Sequence, residues 1–300
     1  MKAPREFHYR LPGRASGFRP GSHPGTSFGP GQEFALHARL VDYPDPRRLD
    51  LRASIQSVRG EWLVRLNLQR VAVPVQVIVD VSASMRFGVK RSKLHVVADF
   101  VEALGYSAFR SGDRVGMAAF DHTERNDLSA PPRYGRGSGD VMAAMLRSEA
   151  AASHADMPTP WNSAVAGAGN GTAALARVVA KLAGRQALVF IVSDFHWPLD
   201  GMPAILDMLL HAHVVPMVVW DPAELDAPER GGLLDVRDME TGARRTVWLS
   251  GQVRAKWREA VAGRRAELVS LFGKRAMAPF FMEGEFEPEA LSRYFLEQSV

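Results

Sequence analysis

The feature that most constrains the fold is the alternation of short apolar runs with amphipathic segments between residues 74 and 222. Residues 75–79, 187–192 and 214–220 are strand-length runs, and helical patterns lie between them. Strands that alternate with helices favour a parallel sheet with helices on both faces. The sequence therefore predicts an α/β domain with a doubly wound, mostly parallel sheet over residues 74–222.

Further elements are expected inside this domain. Apolar residues recur at helical spacing in residues 93–110, where Leu94, Val97 and Val101 share one face. Residues 114–120 have the pattern of another strand. Additional helices are predicted at residues 141–151, 172–182 and 203–211.

The regions on either side of this domain have a different character. Residues 1–33 are basic and rich in Gly and Pro, so we expect a tail without regular structure. Residues 34–73 contain strand patterns, and residues 223–250 contain two more around a hairpin signature at 240–242. Together they predict an accessory β region. Residues 251–300 are predicted to form C-terminal helices.

Composition and charge exclude several classes of protein. The 300 residues include no Cys, which rules out a disulfide framework, a thiolate zinc site and a cysteine nucleophile. The net charge is +4, and the excess of basic residues lies near the N-terminus. These arginines are scattered without interleaved aromatic residues, so no nucleic-acid binding is expected. No run approaches the ~18 apolar residues of a transmembrane segment, and no signal peptide is visible. We expect a soluble, cytoplasmic protein.

Oxygen-bearing side chains follow the predicted strands. Asp80, Ser82 and Ser84 stand at the end of the first apolar run, Asp194 follows the second, and Thr172 opens a helix after a Gly-rich stretch. In an open parallel sheet, ligands bind just beyond the carboxyl ends of the strands. Two carboxylates and three hydroxyls form a hard-oxygen donor set that suits Mg²⁺ or Mn²⁺ better than zinc. These five residues are the predicted metal site.

Two alternatives to this interpretation stay open. Asp80, Ser82 and Ser84 are also ordinary residues for a polar turn or helix cap. Thr159 competes with Thr172 for the third hydroxyl position. Thr159 lies between two prolines rather than at a junction between Gly and a helix, so the sequence favours Thr172.

The residues directly after Asp194 are candidates for a partner-binding rim. Phe195 and Trp197 are aromatic residues of the kind that anchor protein interfaces, and His196 lies between them. The alternative is that the two aromatic side chains pack on a neighbouring loop and that His196 is an ordinary surface residue.

The order Asp-x-Ser-x-Ser, then Thr, then Asp resembles the metal-ion-dependent adhesion site of von Willebrand factor A domains. Further short motifs resemble one bacterial family of unknown function whose genes lie beside those of MoxR-type AAA+ ATPases. They are found at residues 47–50, 80–85, 112–116, 193–195 and 238–242. The resemblance covers most of the chain.

This resemblance implies a von Willebrand factor A-like fold and a non-catalytic adaptor that works with a MoxR-type AAA+ ATPase. Ser82, Ser84 and Thr172 would bind the metal directly, while Asp80 and Asp194 would bind it directly or through water. A partner or client protein would supply an acidic residue to the metal. Family members usually carry N-terminal membrane helices, which this sequence lacks. It resembles the MxaS-type proteins of methanol dehydrogenase gene clusters, which implies a role in metal or cofactor insertion into that enzyme.

Two other functions compete with the adaptor. A Mg²⁺-dependent phosphoryl-transfer enzyme would use Asp80 as a nucleophile, but Ser at position 82 cannot act as the second acid of an Asp-x-Asp pair. No Lys follows at the expected strand end either, so we predict that the protein is not an enzyme. The other alternative is a scaffold at a membrane surface that uses the basic N-terminal region.

Overall fold

The computed structural model describes residues 5–17, 19–29, 31–151, 171–228, 232–237 and 244–298. Within them, the strands are β1 (Pro20–Gly29), β2 (Glu33–Arg39), β3 (Leu63–Val71), β4 (Pro74–Asp80), β5 (Arg114–Phe120), β6 (Glu124–Arg133), β7 (Leu188–Ser193), β8 (His213–Trp220), β9 (Leu233–Arg237), β10 (Arg244–Trp248) and β11 (Phe280–Glu283). The helices are α1 (Leu51–Ile55), α2 (Lys93–Ser111), α3 (Ser138–Ala151), α4 (Gly171–Ala180), α5 (Met202–Asp207), α6 (Pro222–Leu225), α7 (Gly251–Gly273) and α8 (Pro288–Glu297).

The centre of the molecule is a six-stranded sheet with the order β11-β8-β7-β4-β5-β6. The pairs from β11 through to β5 are all parallel, and β6 alone runs antiparallel, along β5. This confirms the predicted α/β class with a mostly parallel central sheet. None of the helices among the described residues is both long and apolar enough to cross a membrane.

Both faces of this sheet are covered, which explains why β4 and β7 consist almost entirely of buried residues. Val77 and Val79 of β4 point to the side of α2, α3 and α8, where Phe100 and Phe295 complete the core. Ile78 lies on the opposite face, which packs against α4, α5 and α7. The alternation along β4 therefore divides the core into two layers.

The expectation that residues 1–33 lack regular structure is wrong. Strand β1 lies within them and pairs with β3 in a second sheet of order β1-β3-β2. The glycines that suggested a tail instead let β1 lie close to β3. A Cβ on Gly21 would come within 2.3 Å of the Ala72 backbone nitrogen, and one on Gly25 within 2.4 Å of the Gln69 carbonyl oxygen. Edge position and an irregular register accommodate the two prolines of this strand.

The segment before β1 is also anchored in the core. Phe7 is buried and its ring lies against those of Phe100 and Phe295. The hydroxyl of Tyr9 donates a hydrogen bond of 2.5 Å to Asp113 Oδ2, and His23 Nε2 of β1 lies 2.7 Å from the same oxygen. The N-terminal region is thus packed against the α/β core.

The C-terminal region departs from the prediction in two ways. Helices α7 and α8 form as expected, but β11 between them was not predicted, and it extends the central sheet beyond residue 222 by pairing with β8. The hairpin of β9 and β10 forms, but as a two-stranded sheet of its own rather than as part of the sheet of β1 to β3. The accessory β region is therefore two separate sheets.

Candidate functional site

The candidate site lies at the carboxyl edge of the central sheet, where β4 and β7 end side by side. Val79 pairs with Val192 in this parallel register, so Asp80 lies beside Ser193, directly before Asp194. Both carboxylates are buried. The Ser193 hydroxyl donates a hydrogen bond of 2.6 Å to Asp80 Oδ2. The register of two parallel strands thus brings together acidic residues that are far apart in the sequence.

The turn after β4 adds two hydroxyls. The Ser82 backbone N–H donates to Asp80 Oδ1 at 2.9 Å, which closes the chain into a tight turn. A short 3₁₀ segment follows, and it places the Ser82 and Ser84 hydroxyl oxygens 3.3 Å apart. Ser84 also hydrogen-bonds Asp194. Four of the predicted ligands are therefore linked by direct contacts.

Thr172, the fifth predicted ligand, borders the loop that follows β7. It lies in the first turn of α4, and its hydroxyl lies 3.3 Å from the Pro198 carbonyl oxygen, to which it donates. A Cβ on Gly201 would meet Thr172 Cγ2 at 2.4 Å, so Gly at this position leaves room for the threonine. Thr159, the competing candidate, lies outside the described residues.

A lysine that the sequence analysis missed is part of the site. Lys93, the first residue of α2, is buried, and its ammonium donates to Asp194 Oδ2 at 2.7 Å and to Glu224 Oε1 at 2.8 Å. The sequence prediction concerned a Lys at a strand end, whereas this one reaches Asp194 from the start of a helix. The sequence did indicate that Lys93 is buried, because it lies on the same helix face as the apolar residues Val97 and Phe100.

The two buried carboxylates have different electrostatic surroundings. Burial, and then the charge of Asp194, raises the pKa of Asp80 to about 6. Burial also acts to raise the pKa of Asp194, but the Lys93 ammonium and His196 outweigh it and hold that pKa below its usual range. Burial acts to lower the pKa of Lys93, yet the charges of Asp194 and Glu224 hold it above its usual value. Asp194 and Lys93 therefore form a stable ion pair, and Asp80 is the carboxyl that takes up a proton first.

The donor chemistry of this edge fits a hard divalent cation. Two carboxylates and Glu224 face a single ammonium, so the buried edge has excess negative charge when Asp80 is ionised. The oxygens of Ser82 and Ser84 lie beside that charge, and oxygen ligands are those that Mg²⁺ and Mn²⁺ prefer.

A second group of candidate ligands lies next to this edge. One ligand atom from each of Asp194, His196 and Glu224 lies within 4.8 Å of the others. Lys93 already bonds two of the three, so its ammonium lies among these ligand atoms and offsets part of their charge. The hydroxyl side of Asp194 is therefore the better candidate for a metal.

Of the three residues predicted for a partner-binding rim, His196 and Trp197 are accessible to solvent and Phe195 is not. Phe195 is fully buried, so the prediction that it belongs to a partner-binding rim is wrong. Its φ of +52° turns the side chain inward, where its ring packs against those of Phe272 and Trp197. His196 is exposed. Trp197 is half-buried, and its indole N–H lies 3.1 Å from Asp80 Oδ2, to which it donates.

Helix α7 holds this loop in place through an arginine that the sequence analysis missed. Arg264 Nε donates to the Phe195 carbonyl oxygen at 3.0 Å, and Nη2 donates to that of Trp197 at 2.6 Å. Bonds from one guanidinium to two carbonyls fix the path of the chain on either side of His196. The C-terminal region therefore shapes the edge of the site.

These contacts define a class of protein: an α/β domain with an acidic, hydroxyl-lined site at the carboxyl edge of a mostly parallel sheet. The particular family follows from comparison. The chain belongs to the DUF58 family, described as a protein of unknown function, whose model matches residues 45–267.

Curated relatives are uncharacterized proteins of mycobacteria. The chain is 24% identical over 251 residues to the uncharacterized protein Rv1480 of Mycobacterium tuberculosis, a match that covers 83% of this chain and 73% of that protein. The uncharacterized protein Mb1516 of Mycobacterium bovis has the same identity and coverage. The uncharacterized protein MAV169 of Mycobacterium avium is 27% identical over 84 residues, which covers 28% of this chain and 49% of that protein.

Two solved structures from Bacteroides are also similar to this chain. An aerotolerance-related membrane protein of Bacteroides fragilis, with multiple mutations to serines, has a TM-score of 0.41 and 13% identity over 76% of this chain and 98% of that chain. The conserved hypothetical protein BatB of Bacteroides thetaiotaomicron has a TM-score of 0.39 and 15% identity over 76% of this chain and 99% of that chain.

Proposed function

We propose that this protein is a non-catalytic adaptor of the von Willebrand factor A type, which binds a partner protein through a divalent metal. The observation that carries the proposal is the buried edge itself. Two carboxylates, at Asp80 and Asp194, lie beside the paired hydroxyls of Ser82 and Ser84, and in the described part of the chain one ammonium, that of Lys93, offsets their charge. A bound divalent cation would offset the remaining charge.

In this proposal each residue has a defined task. Ser82, Ser84 and Thr172 would hold Mg²⁺ or Mn²⁺ directly. Asp80 and Asp194 would supply the charge and accept hydrogen bonds from the groups around them. The metal would supply one further coordination position, which suits a carboxylate from another protein. Trp197 and Ser193 keep Asp80 oriented, since both donate to its Oδ2.

We propose a MoxR-type AAA+ ATPase as the partner and a protein that it matures as the client. This part rests on the motif resemblance described above. The MxaS-type resemblance points to methanol dehydrogenase as the client, with the adaptor assisting metal or cofactor insertion. We place this activity in the cytoplasm, where such ATPases obtain ATP.

Calorimetric titration of Mg²⁺ and Mn²⁺ into the EDTA-treated protein tests the metal site. We expect saturable binding at one site, lost in Asp80→Ala and in the double variant Ser82→Ala, Ser84→Ala. Ser270→Ala is a matched control, because Ser270 is an exposed serine on α7. Unchanged binding in the double variant would refute the assigned ligands. Binding of the purified ATPase with Mg²⁺ and with EDTA then tests the partner.

A Mg²⁺-dependent phosphoryl-transfer enzyme is the second candidate, and one observation favours it. Lys93 lies 2.7 Å from Asp194 Oδ2, so the edge does contain an ammonium that could stabilise phosphate charge. Its burial and its two carboxylate partners argue for a structural role instead. Hydrolysis of an aryl phosphate with Mg²⁺ that Asp80→Asn abolishes would establish the enzyme and overturn the adaptor.

A further inference from the structure

A large apolar cavity opens beside the proposed metal site. It has a volume of about 550 Å³ and lies between the β9–β10 hairpin, α6 and α7. Leu234 and Val247 line it from the hairpin, and Trp257 and Val261 line it from α7. This volume is within the usual range of ligand-binding pockets, about 300–1,000 Å³.

The cavity is an apolar cleft that opens to the surface rather than an enclosed void, and apolar clefts of this size are typical of binding sites. A two-stranded hairpin is only marginally stable without an apolar partner. Here the hairpin presents Leu234, Val236 and Val247 to open space above α7 rather than to a packed surface. An additional apolar group in the cavity would complete this packing.

The mouth of the cavity is continuous with the metal edge. His196 and Glu224 line the cavity, and their ligand atoms lie within 4.8 Å of that of Asp194. One residue of extended chain spans about 3.3 Å. His196 and Glu224 thus connect the mouth of the cavity with Asp194, and a peptide whose carboxylate bound the metal could continue past His196 toward this mouth.

The charges around the mouth favour an acidic occupant. Arg245 and Lys256 line the cavity, are exposed, and form no ion pair with another residue of the described part of the chain. Arg264 also lines the cavity, but Glu267 already pairs with it. Among the lining residues that the structure describes, Glu224 is the one acidic residue, and Lys93 already pairs with it.

We propose that the cavity receives apolar side chains of the partner segment whose carboxylate binds the metal. The occupant is a protein segment in which an acidic residue is followed within one to three positions by bulky apolar residues, with further acidic residues near Arg245 and Lys256. This inference rests on the proposed function and specifies the chemistry of its partner. The carboxylate provides metal-dependent attachment, and the apolar residues provide selectivity among acidic segments.

Methyl-resolved NMR titration of the full chain with synthetic peptides tests this proposal, since it also detects weak binding. The probe peptide carries Asp, then one Ser, then two Leu and a Glu in a Gly-Ser background. In the control peptide the two Leu are replaced by Ser. We expect the first peptide to shift the methyl signals of Val247, Val253 and Val261, and to bind about tenfold more tightly than the control.

Two alanines on α7 provide matched variants. Ala260 is exposed and lines the cavity, whereas Ala262 is exposed and does not line it. We expect Ala260→Glu to weaken binding of the Leu peptide about tenfold and Ala262→Glu to change it less than twofold. Equal effects of the two variants would overturn the proposal.

Repeating the titrations with EDTA distinguishes failure of the cavity from failure of the metal site. If the protein still prefers the Leu peptide in EDTA, the cavity binds apolar side chains, and this part of the proposal holds even if no metal binds. Metal-dependent binding with no preference for Leu and no cavity methyl shifts overturns the cavity alone. A separate titration uses decanoate as a probe. If decanoate shifts these methyl signals and neither peptide does, the occupant is a small amphiphile, and the proposal is overturned.

Discussion

Two clusters built around buried aspartates lie at opposite ends of the central sheet, and they differ in how far the charge of their carboxylates is offset. At the amino edge, Asp113 precedes β5, and Tyr9, His23 and the Val73 backbone N–H surround it; we call this group the anchor cluster. At the carboxyl edge are Asp80, Asp194, Lys93 and Glu224, which we call the edge cluster.

The anchor cluster has one carboxylate and enough donors for both of its oxygens. Val73 N–H donates to Asp113 Oδ1 at 2.8 Å, and the Tyr9 hydroxyl donates to Oδ2. Burial, and then the charge of Asp113, raises the pKa of Tyr9, so this hydroxyl stays protonated and keeps donating. The edge cluster has three carboxylates and one ammonium. A balanced cluster holds segments together, whereas an unbalanced one has the capacity to bind a cation.

The largest expected effect is that of Asp113→Ala on stability. The substitution leaves the Val73 N–H, the Tyr9 hydroxyl and His23 without their shared partner in the interior. Each unsatisfied buried group costs about 1–3 kcal/mol, so we expect the free energy of unfolding to fall by about 4 kcal/mol. Urea denaturation in EDTA measures it.

The matched substitution in the edge cluster is Asp80→Ala. It removes the acceptor of the Ser82 N–H and of the Ser193 hydroxyl, but the Trp197 indole N–H keeps Ser193 Oγ as an acceptor at 3.2 Å. The substitution also relieves repulsion with Asp194, so the metal-free protein should lose less than Asp113→Ala does. Equal losses in the two variants would contradict the distinction between the clusters.

The next largest effect is expected for Lys93→Met. Removing the ammonium leaves Asp194 and Glu224 without their buried partner, and breaking such a pair costs about 3 kcal/mol in the metal-free protein. The added negative charge should at the same time strengthen Mg²⁺ binding about tenfold. Denaturation and calorimetry on the same sample measure the two changes. Lys90→Met is the control, because Lys90 is exposed. Weaker Mg²⁺ binding in Lys93→Met would show that the ammonium supports the metal site rather than opposing it.

The smallest effect is a pH dependence of stability that arises from Asp80. Its pKa of about 6 in the folded protein exceeds the unfolded value near 4. Between these values the folded chain holds a proton that the unfolded chain has released. The free energy of unfolding in EDTA should therefore fall, through this group, on the order of 2 kcal/mol as the pH rises from about 4 to 6.

Asp80→Asn removes this contribution, and denaturation of both proteins across the pH range isolates it. Excess Mg²⁺ should reverse the trend, because a metal needs the ionised carboxylate. A difference between wild type and Asp80→Asn that does not change with pH would show that Asp80 does not titrate in this range.

Much of the central sheet could be predicted because its signals are local. Strands β4, β7 and β8 are apolar runs, and α2 has apolar residues at helical spacing. Strands β1, β6 and β11 were missed for different reasons. The Gly and Pro residues of β1 hide its strand pattern. In β6 the pattern is interrupted by Pro131 and Pro132, and β11 has only four residues. Edge strands tolerate such residues because one side makes no sheet hydrogen bonds.

The metal site was predictable in part for the same reason. Asp80 and Asp194 follow two apolar strands, and the carboxyl ends of parallel strands meet at one edge. The bonds of Lys93 to Asp194 and Glu224 join residues 101 and 131 positions apart, and no local pattern reports such pairs. The inward turn of Phe195 depends on a positive φ that the sequence does not signal, since this residue is not Gly.

The position of β11 has a consequence for synthesis of the chain. This strand covers the edge of β8, yet α7 lies between the two strands in the chain, so β11 is made well after β8. Until then, the nascent chain presents β8, a strand of almost continuous apolar residues, with unpaired backbone groups along one side. The aromatic contacts of Phe7 are likewise complete only once Phe295 has been made. The sheet that supports the site therefore stays open on this side until α7 and β11 have been made, and chains that stop before β11 expose an edge prone to aggregation.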